Sequence, residues 1–262
     1  MNCIRPNHPV RKLAIPSERV PYVAMILAAG RGERMRPLTD AMPKPLLKAG
    51  EHALIEHQLN NLARAGFADI VINHAYLGEM IEKALGTGER YGVRIRYSPE
   101  QVVLETAGGI ANALPLLTGE SGDRPFLVVN ADIFCELDYA TLIPVFQAMQ
   151  SNTDWRLAHL VLVDNPPHHT EGDFALQNGQ VMLNGNAKLT FSGIGIYQAR
   201  LFGDIQPGLP VKLAPLLRQA MQAGQVSGEY FSGQWVDVGT PGRLELLDKQ
   251  LKSRVESSTG SI

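Results

Sequence analysis

The sequence predicts an α/β fold in which helices cover both faces of a central, mostly parallel sheet. Short apolar segments alternate with amphipathic helical segments along the first half of the chain, and this alternation is typical of sheets built from β-α-β units. A glycine-rich stretch follows the first apolar segment directly, as expected where a buried parallel strand opens into a loop.

The first half is predicted to contain four strands separated by three helices. The apolar run 22–28 predicts the first strand. Apolar residues at helical spacing before Gly66 predict the first helix, Gly86 closes the second, and Gly108 and Gly109 lie at the start of the third. In order, the predicted elements are strand 22–28, helix 53–65, strand 68–73, helix 77–85, strand 93–97, helix 106–114 and strand 125–130.

The second half differs because it contains a hairpin signal. Asn178-Gly179 is a strong two-residue turn between two short apolar segments. No Gly/Ser-rich or charged linker separates the halves, so we predict one domain over 22–256, with halves at about 22–135 and 136–256. The predicted elements here are strands 157–163, 174–176, 181–183, 189–197 and 235–238, and helices 211–223 and 241–256.

Composition excludes several classes of protein. The 262 residues include 24 Lys+Arg and 26 Asp+Glu, a net charge of 24 − 26 = −2, which argues against binding to nucleic acid. Two cysteines exclude a disulfide scaffold. No run approaches the ~18 apolar residues of a membrane span or resembles a signal peptide, so we expect a cytoplasmic protein that does not bind membranes. The proline-rich residues 1–21 are predicted to be a flexible extension.

The loop after the first strand is a candidate phosphate-binding site. Residues 27–32 read Leu-Ala-Ala-Gly-Arg-Gly, and successive glycines expose backbone N–H groups that bind phosphate. The spacing excludes two known motifs: Met35 stands where the dinucleotide fingerprint needs its third glycine, and the Gly-Lys-Ser/Thr of a Walker loop is absent.

Two basic residues accompany this loop. Arg34 offers a planar guanidinium that suits phosphate oxygens. Lys44 lies between Pro43 and Pro45, which restrict the backbone and would preorganise the positive charge. Taken alone, a lysine between two prolines indicates a solvent-exposed turn. Because this lysine follows the glycine-rich loop with its arginine, the pattern instead favours a role in phosphate binding.

Two aspartates follow predicted strands. Asp132 comes directly after strand 125–130, and Asp237 ends the short strand 235–238. Ligands bind at the carboxyl ends of parallel strands, and two carboxylates can share one Mg²⁺ with phosphate oxygens and water. The alternative that each aspartate only caps a turn stays open.

The compound motif G-x-G-x-R-x-x-P-L-T followed by P-K-P-L resembles that of the sugar-phosphate nucleotidyltransferase family over about 22–250. The resemblance implies a three-layer Rossmann-like nucleotidyltransferase fold with a central mixed, mostly parallel sheet, a nucleotide half and a sugar half. It also implies Mg²⁺ held by Asp132 and Asp237, with Arg34, Lys44, Asp132 and Asp237 as the catalytic residues. The implied nucleotide-binding residues are Leu27, Ala28, Ala29, Gly30, Gly32, Arg34, Lys44, Glu100, Thr106 and Gly108.

Further stretches resemble the N-acetylmuramate 1-phosphate uridylyltransferases, including Tyr-Ser-Pro-Glu at 97–100 and Lys-Leu-Ala-Pro-Leu-Leu at 212–217. The chain departs from distant members of the larger family at Glu105, where a glycine is usual. The residues expected to bind the sugar phosphate are Asn73, Glu105, Gly109, Asp132, Asp173 and Gly193.

The reaction implied by this resemblance joins UTP and N-acetylmuramic acid 1-phosphate to give UDP-N-acetylmuramic acid and pyrophosphate, in peptidoglycan recycling. One alternative is uridylyl, thymidylyl, guanylyl or cytidylyl transfer to another sugar 1-phosphate, such as that of glucose or mannose. Another alternative is a nucleotide-sugar sensor without catalytic activity. We expect a monomer whose partners are its small-molecule substrates.

Overall fold

A nine-stranded sheet forms the centre of the computed structural model, which describes residues 22–119, 122–151, 154–185 and 187–259. The strands are β1 (Val23–Leu27), β2 (Lys48–Ala49), β3 (His52–Ala53), β4 (Asp69–His74), β5 (Arg94–Pro99), β6 (Pro125–Asn130), β7 (Ile133–Cys135), β8 (Ala158–Val163), β9 (Ala175–Gln177), β10 (Gln180–Met182), β11 (Thr190–Gln198), β12 (Val226–Tyr230) and β13 (Trp235–Asp237). The helices are α1 (Leu54–Arg64), α2 (Gly78–Leu85), α3 (Glu105–Thr118), α4 (Ile143–Met149), α5 (Leu213–Gln222) and α6 (Pro241–Thr259).

The order of strands in the sheet is β5-β4-β1-β6-β11-β8-β12-β10-β9. The first four run parallel to one another, and β12 runs parallel to β8. β11 is antiparallel to both β6 and β8, and β10 is antiparallel to both β12 and β9. Seven of these nine strands therefore point in one direction, and the prediction of a mixed, mostly parallel sheet is confirmed.

Helices pack on both faces of the sheet because the side chains of its strands alternate in direction. In β1, Ala24 and Ile26 belong to the apolar cluster that includes residues of α1, α2 and α4. Val23 and Met25 belong to the cluster that includes residues of α3 and α5. This arrangement confirms the predicted three layers. Helix α6 belongs to a third cluster, in which Leu247 packs with Met35 of the loop after β1.

The sequence predicted most elements but not all of them. Strand β6 has the predicted bounds, and the hairpin turn has Asn178 and Gly179 at φ 51° and 76°. Sequence reasoning did not predict β2, β3, β7, α4 and β12. Strand β12 lacks an apolar pattern. Its Gly228 lies close to β8, since a Cβ there would be 2.8 Å from the Leu160 carbonyl oxygen. Pairing with β8, rather than local propensity, determines this strand.

Two further expectations concern the N-terminal residues and membranes. The extension predicted for residues 1–21 lies outside the described residues. In the described ranges, no helix combines the length and the apolar composition needed to cross a bilayer.

A buried polar chain joins α1 to β7, and its loss is expected to destabilise the fold. Tyr139 Oη donates to Gln58 Oε1 at 2.5 Å, and Gln58 Nε2 donates to the Ile133 carbonyl oxygen at 2.7 Å. Because Gln58→Leu leaves both partners buried without a hydrogen bond, we expect the free energy of unfolding to fall by about 2–4 kcal/mol. Urea denaturation measures this change. Gln219→Leu, at an exposed position of α5, is the control, and an equal effect of both substitutions would contradict the prediction.

Candidate active site

The carboxyl ends of three parallel strands form the floor of the candidate site. Leu27 at the end of β1 pairs in register with Asn73 of β4 and with Asn130 of β6. The glycine-rich loop leaves the sheet at this point. A first cavity of about 450 Å³ lies above these strand ends, and its wall includes Gly30, Arg34, Lys44, Glu100 and Asp132.

Close packing of the loop against Lys44 explains why a glycine stands at position 32. Gly32 has φ +68°, and a Cβ there would lie 3.0 Å from Lys44 Cβ and 3.1 Å from Thr39 Cγ2. The Thr39 hydroxyl donates to the Gly32 carbonyl oxygen at 2.8 Å. A residue with a side chain would therefore be strained and would push the loop away from the lysine. A Cβ on Gly30, by contrast, would meet no atom within 4 Å.

The positive charge of Lys44 is buried and paired with Asp132. Lys44 Nζ lies 2.5 Å from Asp132 Oδ2, and the two side chains are 9% and 42% exposed. The residues are 88 positions apart in sequence, so the fold brings the predicted lysine to the predicted strand-end aspartate. One Asp132 oxygen therefore lies next to the Lys44 ammonium. Because Asp132 is only half-buried at the cavity wall, its carboxylate is still accessible to solvent.

The two arginines of the loop differ in position. Arg34 belongs to the wall of the first cavity, and its Nη2 lies 3.3 Å from where a Cβ of Gly239 would be. The Arg31 guanidinium carbon lies 5.4 Å from the ring centre of Tyr76, over the aromatic face. Arg34 is therefore the loop arginine that adds positive charge to the cavity.

Asp237 lies near Asp132 in the fold, but its carboxylate contacts other groups. Strand β13 pairs antiparallel with β7, and Val238 N donates to the Asp132 carbonyl oxygen at 2.8 Å. Arg243 Nη1 lies 2.6 and 2.7 Å from the two Asp237 oxygens, and His168 Nε2 lies 3.0 Å from Oδ1. Asp237 is not among the residues that line the first cavity, although Gly239, two residues later, is.

The two aspartates nevertheless suit a magnesium ion that is also bound by a phosphate ligand. Each carboxylate is neutralised by a basic side chain, Lys44 or Arg243, which is the charge balance that a cation would also provide. Across the described ranges, no group of three or more His, Cys, Asp or Glu side chains is arranged to hold a metal alone. Mg²⁺ does not require such a cage, since it often keeps one or two carboxylates plus phosphate oxygens and water.

A buried hydrogen-bond network fixes the start of the loop. Asn73 Oδ1 accepts from Ala28 N at 2.9 Å, and Asn73 Nδ2 donates to Glu100 Oε1 at 2.7 Å. Leu104 N donates to Glu100 Oε2 at 2.9 Å. Gly109 makes room for this network, because a Cβ there would lie 2.6 Å from Glu100 Oε1. Gly109 is not among the residues that line the two cavities, and the structure shows its role in packing against Glu100.

The Glu100 carboxyl is expected to make stability depend on pH. Burial raises its pKa above the ordinary 4.5, although the hydrogen bonds from Leu104 N and Asn73 lower it. The folded state therefore holds this proton to higher pH than the unfolded state does. As a result, the free energy of unfolding falls as the pH rises from the pKa of Glu100 in the unfolded state to its higher pKa in the folded state.

Glu100→Gln removes this titration. We expect a smaller loss of stability as the pH rises above 4.5, the ordinary pKa of a glutamate, measured by urea denaturation at a series of pH values. Glu79→Gln, an exposed glutamate of α2, should keep the pH profile of the unmodified protein. Parallel profiles for Glu100→Gln and the unmodified protein would contradict the prediction.

A second cavity of about 320 Å³ adjoins the first. The two spaces are neighbours because they share four wall residues, namely Leu27, Glu105, Thr106 and Asn130. The remaining wall of the second cavity comes mainly from the second half of the chain, and includes Asp173, Phe174, Phe191, Gly193 and Lys212.

Two predicted residues shape this second cavity. Asp173 Oδ2 accepts from Phe191 N at 2.8 Å, and its Oδ1 lies 3.1 Å from His169 Nε2. Gly193 has φ +80°, and a Cβ there would lie 2.5 Å from Asn130 Nδ2. Gly193 therefore lets the Asn130 side chain lie between the two cavities.

Glu105 has an unusual backbone conformation at the border of the cavities. It is the first residue of α3 and has φ +59°. This left-handed conformation is easiest for glycine, which gives a physical reason for the glycine that is usual at this position in distant members of the larger family. The strained position of a charged residue marks it as a candidate functional residue.

Gly108 packs closely against the segment before α5. It lines neither cavity, and a Cβ there would lie 2.3 Å from the Leu209 carbonyl oxygen. Its amide donates to the Val211 carbonyl oxygen at 3.1 Å. The glycine therefore allows α3 to pack against the segment before α5.

The other predicted residues come together. Every predicted nucleotide-binding residue except Gly108 lines the first cavity, and every predicted sugar-phosphate residue except Gly109 lines one of the two. Sequence reasoning did not assign Asn130, Gly239 or Arg243. The position of Asn130 at the end of a buried strand could have indicated it, whereas the contact of Arg243 with Asp237 depends on the packing of α6.

Comparisons with known proteins agree with this geometry. Residues 23–170, more than half of the chain, match the family model described as Nucleotidyl transferase. The chain is 53% identical over 226 residues to N-acetylmuramate alpha-1-phosphate uridylyltransferase of Neisseria meningitidis serogroup B, covering 85% of this chain and 95% of the relative. It is 35% identical over 232 residues to the protein of the same name from Caulobacter vibrioides, covering 85% and 94%.

A solved structure supports the fold. A candidate glucose-1-phosphate thymidylyltransferase from Bacillus anthracis, solved with sucrose, superposes with a TM-score of 0.76 at 20% identity, covering 88% of this chain and 95% of the other. This likeness confirms the predicted Rossmann-like nucleotidyltransferase fold. Because the family model and both relatives match most of the residues that the structure describes, the chain belongs to the nucleotidyl transferase family.

Proposed function

We propose that this protein transfers the uridylyl group of UTP to N-acetylmuramic acid 1-phosphate, forming UDP-N-acetylmuramic acid and pyrophosphate. The observation that carries the proposal is the pair of adjoining cavities, with Arg34 and Lys44 in the wall of the first and a second wall that comes mainly from the second half of the chain. The 53% identity to a uridylyltransferase of that sugar phosphate supports the choice of both substrates.

The chemistry requires positioning and neutralisation of charge more than proton transfer. A phosphate monoester has a second pKa near 6, so the sugar phosphate oxygen is already anionic at neutral pH. That oxygen attacks the α-phosphorus of UTP and forms a new P–O bond. The bond from the α-phosphorus to the bridging oxygen breaks, and pyrophosphate leaves with the electron pair. The main barrier is the approach of anions in the correct orientation.

Residues of the first cavity lower this barrier. The amides of the loop at 28–32 would bind phosphate oxygens, and Asn73 holds the loop start through Ala28 N. Arg34 and Lys44 would neutralise charge on the triphosphate and on the leaving pyrophosphate. Glu100 and Thr106 line the same cavity and would contact the nucleoside.

Magnesium is part of the proposal. Asp132 and Asp237 would hold the ion together with phosphate oxygens and water, and Asp237 would exchange its contact with Arg243 for the ion. When bound, Mg²⁺ supplies positive charge to the reacting phosphates. We also propose that the protein acts as a monomer, since one chain lines both cavities, and that it works in the cytoplasm in peptidoglycan recycling.

Product analysis tests the proposal. The protein is incubated with Mg²⁺, one of UTP, TTP, GTP or CTP, and the 1-phosphate of N-acetylmuramate, N-acetylglucosamine, glucose or mannose. Products are identified by mass spectrometry and pyrophosphate release. UTP with the muramate substrate is expected to give the highest kcat/KM. Preference for another donor or sugar would support a different transferase, and absence of pyrophosphate release in every combination would support a sensor.

A further inference from the structure

The second cavity contains one basic side chain in the part of the chain that the structure describes, and that side chain is Lys212. The other charged residues of its wall are Glu105 and Asp173, which are acidic. Lys212 belongs to the second cavity and not to the first. Its positive charge therefore lies apart from Arg34 and Lys44.

The position of Lys212 is fixed by backbone hydrogen bonds to the start of α3. Val211 N donates to the Leu104 carbonyl oxygen at 3.0 Å, and the Val211 carbonyl oxygen accepts from Ala107 N at 2.9 Å and Gly108 N at 3.1 Å. These bonds bracket Glu105 at the border of the two cavities. Because they hold the residue directly before Lys212, the lysine backbone is anchored at the cavity wall.

The ammonium group has no protein partner. Across the described ranges, the Lys212 ammonium makes no hydrogen bond and no ion pair with another side chain or with the backbone, and the residue is exposed. The wall around it is largely apolar and includes Phe174, Phe191 and Leu217. A lone cation above an apolar wall matches a ligand group that joins a carboxylate to a small hydrocarbon portion.

We propose that Lys212 determines specificity by binding the lactyl carboxylate of the muramate substrate. This inference rests on the proposed function. N-acetylmuramic acid differs from N-acetylglucosamine by a lactyl ether, which adds a methyl group and a carboxylate. The phosphate is on C1 of the sugar and must reach the triphosphate in the first cavity, whereas the lactyl ether is on C3. Of the two anionic groups of the substrate, the carboxylate is therefore the one that meets Lys212.

A chemical double-mutant cycle tests the pairing. Unmodified protein, Lys212→Gln and Lys212→Arg are assayed with UTP and either N-acetylmuramic acid 1-phosphate or its lactyl methyl ester. For the unmodified protein, kcat/KM is expected to be about 30-fold higher for the acid than for the ester, as for loss of a charge-assisted hydrogen bond. For Lys212→Gln this ratio is expected to fall below about 3, and Lys212→Arg should restore part of it.

Most of the effect should appear in KM, since the carboxylate lies away from the reacting phosphates and its binding is the same before and during reaction. Arg218→Gln removes an exposed positive charge from α5, the helix that follows Lys212, outside both cavities, and it should keep the 30-fold ratio. Melting temperatures of all variants report on folding.

The possible failures are distinguishable. If the unmodified protein makes no product from UTP and the muramate substrate, the proposed function fails and the role of Lys212 fails with it. If the unmodified protein prefers the acid but Lys212→Gln loses equal activity with acid and ester, the lysine contacts the phosphate or another shared group. That second result overturns the inference and leaves the proposed function intact.

Discussion

Asp132→Asn is expected to lower kcat/KM for pyrophosphate release by about 10³-fold. The substitution keeps the shape of the side chain but removes the negative charge that lies 2.5 Å from Lys44 Nζ. It also removes one of the two carboxylates proposed to hold magnesium. Initial rates with UTP, N-acetylmuramic acid 1-phosphate and a range of Mg²⁺ concentrations measure the loss.

A second measurement separates metal binding from other causes. Binding of Mn²⁺ in the presence of UTP, followed by electron paramagnetic resonance, should weaken in Asp132→Asn. Asp204→Asn, an exposed aspartate outside both cavities, is the matched control and should behave like the unmodified protein. Activity of Asp132→Asn within threefold of normal, with unchanged Mn²⁺ binding, would exclude Asp132 from the mechanism.

Lys44→Met is expected to lower kcat/KM by about 10²-fold or more, because a positive charge aimed at the phosphates is lost. Methionine keeps an unbranched apolar stem, so the close contact between Lys44 Cβ and Gly32 can persist. Stability should change little, since Asp132 keeps access to solvent after its partner is removed. Steady-state rates and melting temperature together check these two expectations.

Lys48→Met is the control for this substitution, because Lys48 is an exposed lysine of β2 outside the cavities. It should leave the rate within about twofold of normal. If Lys44→Met kept the normal rate, the positive charge would have no role in catalysis. If instead it melted far below the unmodified protein, the lost rate would reflect unfolding.

The sequence was most informative where local signals agreed. The apolar segment of β6 and the Asn178-Gly179 turn each specify structure within a few residues, so their bounds could be predicted closely. Strand β12 and helix α4 depend on pairing and packing with distant segments. Their own residues carry weak patterns, and periodicity alone could not find them.

The same distinction applies to the site. The loop glycines and Lys44 were predictable because the residues that indicate phosphate binding lie close together in the sequence. The contact of Lys44 with Asp132 depends on the fold, which brings the two residues together. Gly108 and Gly109 stand at positions where a larger residue would not fit, because a Cβ at either one would lie 2.6 Å or less from a protein atom. A sequence motif does not distinguish such packing from ligand contact. The contact of Arg243 and His168 with Asp237 also joins separate segments, and no local pattern indicates it.

Strand β11 has a consequence for how the molecule can move. It is hydrogen-bonded to β6 on one side and, with a register shift between Phe191 and Gly195, to β8 on the other, so the strands that support both cavities belong to one sheet. The hydrogen bonds between these neighbouring strands oppose a rotation of the two halves away from each other. Adjustment to arriving reactants and release of products therefore fall to the loops at the strand ends, while the framework beneath them keeps its shape.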